Sequence, residues 1–147
     1  MTVFRLHNRL GFRVSRLARL MQARQEAALA PDGLTRLGAA VLMGVGDEGV
    51  ATPSDLAAYV GITRPAMSRL LRGLEARNLI ARAPDDDDAR QTNVVLTGAG
   101  QAALVRVRAA SDALQAHFAA KIGADDLRVL TGALARLTEG EPDPTDF

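Results

Sequence analysis

At 147 residues with 48% hydrophobic side chains and a formal charge of +1, the chain is long enough for one folded domain with helical extensions and too apolar for disorder. It has no cysteine, which excludes disulfide scaffolding, thiolate catalysis, Cys-based zinc sites and thiol redox sensing. The longest uncharged run of the first half, Leu37 to Gly46, is too short to cross a bilayer, and the arginine-rich start has no leader-like apolar core, so a soluble cytoplasmic protein is expected.

Residues 3–29 read as one long helix, because Leu6, Leu10, Val14, Leu17 and Met21 recur at helical spacing. The same segment holds Arg5, Arg9, Arg13, Arg16, Arg19 and Arg24 with no acid up to Arg24, a local charge of +6. Pro31-Asp32-Gly33 ends it. Residues 35–46 form a shorter apolar helix running into a Gly46-Asp47-Glu48-Gly49 turn. Thr52 then suits an N-cap, Pro53 the first helical position and Asp55 the first turn, near the positive end of the helix dipole. Leu56 and Val60 face inward, and Gly61 stops this third helix.

Thr63-Arg64-Pro65 opens the next helix after a short turn. Met67, Leu70, Leu71 and Leu74 make one buried face, while Pro65, Arg69, Arg72 and Ala76 point the opposite way and Ser68 lies on the flank. Two strands follow, Leu79 to Ala83 and Gln91 to Leu96, with Val94 and Leu96 on one side and Asp85-Asp86-Asp87-Asp88 near the hairpin tip. Thr97 caps a long helix carrying Leu104, Val107, Ser111, Leu114 and Phe118. Gly123 breaks it, Asp125 caps a last helix with Leu127, Leu130, Leu134 and Leu137, and the acidic stretch from 139 to 147 frays.

The central pair of helices, joined by a tight Gly-containing turn, has the pattern of a helix-turn-helix. A helix is about 10–12 Å across and the major groove about 12 Å wide, so the outward face of the second helix can reach base edges. Arginine is the usual bidentate partner of guanine, which points to Arg69 and Arg72. Thr63, Arg64, Pro65 and Ser68, at or near the helix start, can meet phosphates or bases. Ordinary surface arginines on a small helical fold remain an equal alternative on this segment alone. The hairpin that follows completes a winged helix.

The stretch "LAAYVGITRPAMSRLLRGLEARNLIARAPDDDDARQTNVVLTGAG" resembles the DNA-binding core of the MarR family of bacterial transcriptional regulators. The matching pieces are Leu74-Glu75-Ala76-Arg77-Asn78-Leu79-Ile80, the Asp88-Ala89-Arg90 wing, and Leu96-Thr97-Gly98-Ala99-Gly100. "LGFRVSRLARLMQARQEAAL" is similar to the family's first helix, so the likeness spans nearly the whole chain. It implies a mainly α fold with a small β-hairpin wing. An N-terminal arm (1–30), a winged helix-turn-helix core (33–97), C-terminal dimerisation helices (98–138) and an acidic tail (139–147) would follow in that order.

The resemblance further implies that Arg90 is the wing arginine at the minor groove and Asp88 the acid that holds the wing or its arginine in place. Asp85 matches a common acid of the family; Asp86 and Asp87 read as solvated turn residues whose charge would weaken non-specific binding. Ala89 stands where many relatives carry a second arginine, and Asn78 replaces a common glycine. Gly38 and Ala39 replace a Gln-aromatic pair, so the helices there either pack closer or leave a cavity. The partners implied are double-stranded operator DNA, a second copy of the chain, and a small-molecule effector, aromatic or anionic. No cofactor is expected. Zinc sensing finds no support in the two histidines, His7 and His117, and no enzyme motif is present. The rival reading is a winged-helix protein-interaction module that has no use for Arg69, Arg72 and Arg90.

Overall fold

A computed structural model describes residues 5–145. Six helices and one hairpin run in the order α1 (Leu10–Leu29), α2 (Arg36–Gly46), α3 (Pro53–Val60), α4 (Arg64–Ala76), β1 (Ile80–Pro84), β2 (Thr92–Leu96), α5 (Gly98–Ile122) and α6 (Ala124–Thr138). Short 3-10 turns occupy Leu6–Asn8 and Ala30–Asp32. The strands pair antiparallel in the register Ile80↔Leu96 to Pro84↔Thr92.

The long first helix is interrupted. Arg9 is extended (φ −79, ψ 139), separating the Leu6–Asn8 turn from α1, and residues 3 and 4 of the expected helix lie outside the described residues. The physical reason is visible in Arg13, whose Nε donates to the His7 carbonyl at 3.0 Å and whose Nη2 donates to Asn8 Oδ1 at 3.1 Å. The first of these bonds satisfies a carbonyl that a continuous helix would pair along its backbone. Each strand begins one residue later than the alternation suggested. Asp125 is not a cap either: Gly123 holds the N-cap position of α6 without a side-chain bond, and Asp125 sits in the first turn.

The caps expected at Thr52 and Thr97 form, and Thr35 and Thr63 cap α2 and α4 in the same way. Thr35, Thr52, Thr63 and Thr97 each accept a hydrogen bond from the amide three residues on. Asn78 takes a left-handed conformation (φ 57), which asparagine tolerates better than most residues. The core joins Leu29 from α1, Leu42 from α2, Leu56 from α3, Met67 and Leu71 from α4, Ile80 from β1, Val94 from β2, and Leu104 and Val107 from α5. Leu70, on the expected inner face of α4, is only partly buried. None of the α6 residues is buried.

Gly100 lets α5 start against the hairpin. A Cβ there would fall on the Leu79 carbonyl oxygen, which also accepts the Thr97 amide at 3.2 Å. Backbone cannot yield as a flexible side chain can, so Gly100→Ala is expected to cost about 3 kcal/mol, lowering the thermal midpoint by about 5–10 °C. Gly98→Ala, where nothing lies within 4 Å of the added carbon, is the matched control in a circular-dichroism melt.

Candidate nucleic-acid interface

Gly61 caps α3 in the left-handed region (φ 82) and turns the chain within two residues to Thr63, the N-cap of α4. A side chain at Gly61 would be strained, which is why this tight turn takes glycine. It leaves Thr63, Arg64 and Pro65 exposed at the head of α4, with Arg69 and Arg72 exposed along its length. Ser68 is half-buried, and its Oγ accepts from Arg72 Nη1 at 3.2 Å, a bond that steadies the Arg72 guanidinium on the outer face.

Arg64, Arg69, Arg72, Arg77 and Arg82, the arginines between residues 56 and 84, divide into two sets. Arg77 turns back, donating from Nη1 to the Gly33 carbonyl at 2.6 Å and from Nη2 to the Asp32 carbonyl at 3.0 Å. Arg82 pairs with Glu75 at 3.4 Å. Arg64, Arg69 and Arg72 enter none of the ion pairs found among the described residues, so they are the cations of this block left to face a polyanion.

The wing aspartates build the turn that presents Arg90. Asp85 Oδ1 accepts from the Asp87 amide at 3.1 Å, and Asp88 Oδ1 accepts from the Arg90 amide at 3.0 Å. The Asp85 amide donates to the Gln91 carbonyl at 3.1 Å and the Gln91 amide to the Asp88 carbonyl at 2.9 Å, closing the loop. Asp88 therefore holds the backbone of residue 90, and its guanidinium makes no ion pair among the described residues. Two residues apart in such a turn, the carboxylate is taken by the nearer amide. Asp86 and Asp87 are exposed.

A contact surface that the sequence did not announce lies beside this turn. Thr52, Pro53, Ser54 and Asp55 at the head of α3 and Gln91 and Thr92 at the start of β2 line an open cleft of about 450 Å³. The Val94 amide donates to the Ala51 carbonyl at 2.7 Å, a long-range bond that ties the stretch before α3 to β2. Only the Thr-Pro-Ser-Asp cap hinted at one half of it. At Gly38 the helices pack closely, since an added Cβ would lie 3.5 Å from Leu74 Cδ2 of α4, and Ala39 is buried beside it; an open cleft adjoins this contact. About 380 Å³ lies between α2 and α4, with Leu34, Gly38, Arg69, Leu70, Gly73 and Leu74 among its lining.

Titration sets two further charges. The Arg108 guanidinium, donating hydrogen bonds to the Asp47 carboxylate, holds that acid below the ordinary carboxylate range. Burial first, then Arg24 and Lys121, pull His117 below the usual imidazole value, which favours its neutral form. Among the described residues no group of three His, Asp or Glu side chains could hold a metal ion. No helix of the described residues is long and apolar enough to cross a membrane.

A helix-turn-helix with a cationic outer face, followed directly by a two-stranded wing, defines a winged-helix DNA-binding protein. Residues 32–91 match the MarR family. The chain is 28% identical over 128 residues to the HTH-type transcriptional repressor Rv2887 of Mycobacterium tuberculosis, covering 87% of this chain and 92% of that protein. It is 31% identical over 118 residues to the HTH-type transcriptional regulator Mb0904 of Mycobacterium bovis, with 80% and 78% covered. Among solved structures, the transcriptional repressor CouR bound to a 23-mer DNA duplex superimposes with a TM-score of 0.82 at 25% identity, covering 95% of this chain and 99% of that one. The chain belongs to the MarR family and is a sequence-specific DNA-binding transcriptional regulator. The family is one of regulators rather than enzymes, and a purely protein-binding role is not favoured.

Proposed function

We propose that the protein works as a cytoplasmic homodimer that represses transcription from a near-palindromic operator, releasing it when a small molecule binds. The observation that carries this reading is the exposed Arg64–Arg69–Arg72 face of α4, which makes no ion pair among the described residues, beside a wing whose turn is built to present Arg90. Arg69 and Arg72 read bases in the major groove, Thr63, Arg64, Pro65 and Ser68 set the register on backbone and bases, and Arg90 enters the minor groove, where a narrow cleft concentrates negative potential. Asp88 acts indirectly, by shaping the wing.

Residues 33–97 form the DNA-reading lobe, 1–30 and 98–138 the dimer arm. Leu6, Leu10, Val14, Leu17 and Leu20 near and along α1, and Val129, Leu130, Leu134 and Leu137 on α6, are 40–62% exposed in the single chain, an apolar surface that a partner copy would cover. The effector site best supported is a cleft of about 390 Å³ where arm meets lobe, lined by Gln25, Arg36, Met43, Tyr59 and Ser111 among others. An anionic ligand there would meet Arg36 in competition with Glu26, whose Oε1 lies 3.6 Å from Arg36 Nη1, and it would act only by preferring one spacing of the lobes over another.

Capture of native chromosomal fragments by the purified protein tests the reading. A few enriched promoter fragments with inverted half-sites are expected; uniform recovery of all fragments would refute it. The extra wing charge has its own consequence. Asp86→Ser combined with Asp87→Ser is expected to strengthen binding to random duplex more than to the selected operator, and equal strengthening of both would show that these two acids do not sharpen selectivity.

A further inference from the structure

The two arginines that flank buried Val107 on α5 reach different corners of the lobe. Arg106 Nε lies 2.6 Å from Asp32 Oδ1, in the connection between α1 and α2. Arg108 grips the Asp47 carboxylate at the end of α2, with Nε 3.2 Å from Oδ2 and Nη2 bonded to Oδ1. Asp32 has a second attachment. Its carbonyl and that of Gly33 accept both terminal nitrogens of Arg77, the residue that caps the end of α4. The position of a Gly33 Cβ lies 3.2 Å from Arg77 Nη2, so the guanidinium sits tight against this loop.

Asp32 is thus joined by its carboxylate to α5, by its carbonyl to the end of the recognition helix, and by the chain itself to α1. We infer that the Arg77–Asp32–Arg106 chain, with Arg108–Asp47 as a second strut, sets the angle at which α4 is carried on the α1/α5 arm, making Asp32 and Arg106 positioning residues for operator spacing. The inference rests on the homodimeric DNA-binding reading above.

Magnitudes favour a positioning role over a stabilising one. The Arg106 side chain is 51% exposed and that of Asp32 27%, a setting in which ion pairs add little to stability. Leu104 and Val107 already anchor α5 in the core. Geometry is less forgiving. Half-sites one helical turn apart must be met within a fraction of the roughly 3.4 Å base-pair step, and a small rotation at the joint is carried to the far end of each lobe.

The test begins by selecting a preferred site for the wild-type protein from random-sequence duplex. Affinities are then measured for that site and for versions with one base pair added or removed between half-sites. The wild type should discriminate among the three duplexes. Asp32→Asn and Arg106→Gln should reduce that discrimination by about fivefold or more, with dimer mass and thermal midpoint unchanged, while Arg106→Lys, which keeps the charge, retains it. Unaltered discrimination in both neutral variants would overturn the strut. So would a proportionate loss on all three duplexes accompanied by a lower melting temperature, the signature of a merely structural role. A wild type that stays monomeric or selects no site would overturn the dimeric reading and this one together.

Discussion

Leu130→Glu combined with Leu134→Glu is expected to yield a folded monomer whose affinity for the operator falls by about a hundredfold or more. Both leucines lie on α6, are 40% and 41% exposed, and belong to a helix that contributes no buried residue, so the change removes nothing from the core. In a dimer the same positions become desolvated, and a buried carboxylate without a partner is strongly unfavourable. Loss of the second subunit removes the second recognition helix, whose binding is intramolecular once the first has docked. Analytical ultracentrifugation would report the mass, circular dichroism the fold, and a binding titration the affinity. A double variant that remains a dimer would place the interface elsewhere; a monomer with undiminished affinity would show that two-fold presentation is not how this protein reads DNA.

The second large effect concerns Arg69. Arg69→Ala is expected to weaken binding to the selected operator by about 1–3 kcal/mol for each half-site and to relax preference at one base position, leaving binding to random duplex little changed. Arg90→Ala should behave differently, weakening both kinds of duplex and flattening the dependence of log K on log salt by about one unit per subunit. Both residues are exposed and neither enters an ion pair among the described residues, so neither substitution should move the melting temperature. The contrast is the informative part. Two residues that lose affinity in the same way across all sequences would both be phosphate contacts, and base reading would have to come from Arg72 or Ser68.

The four aspartates show how far a charge run can mislead when read as charge alone. Set against a phosphate surface they look like a liability. In the folded wing, Asp85 and Asp88 spend a carboxylate oxygen on nearby amides and so fix the loop that displays Arg90. Asp-rich turns have this local chemistry available at any time, but which amide is taken depends on strand register. The arginines carry the same lesson. Nothing at the positions of Arg72 and Arg77 separates a groove-facing residue from a joint, and only the packing of α4 on the loop after α1 sends Arg77 to the carbonyls of Asp32 and Gly33.

From sequence alone came the features whose causes are local: the helical periods, the Thr52 and Thr97 caps, the tight Gly61 turn, and the outward face of α4. These follow from spacing and backbone preference within a few residues, so they can be read without knowing what lies across the fold. Tertiary structure alone decided the union of the α3 start with β2, the need for glycine at position 100 and the Arg77–Asp32–Arg106 junction. Each of these depends on atoms brought together by long-range packing, and residues 45 and 74 positions apart, as in the two links of that junction, carry no periodic signal of their nearness.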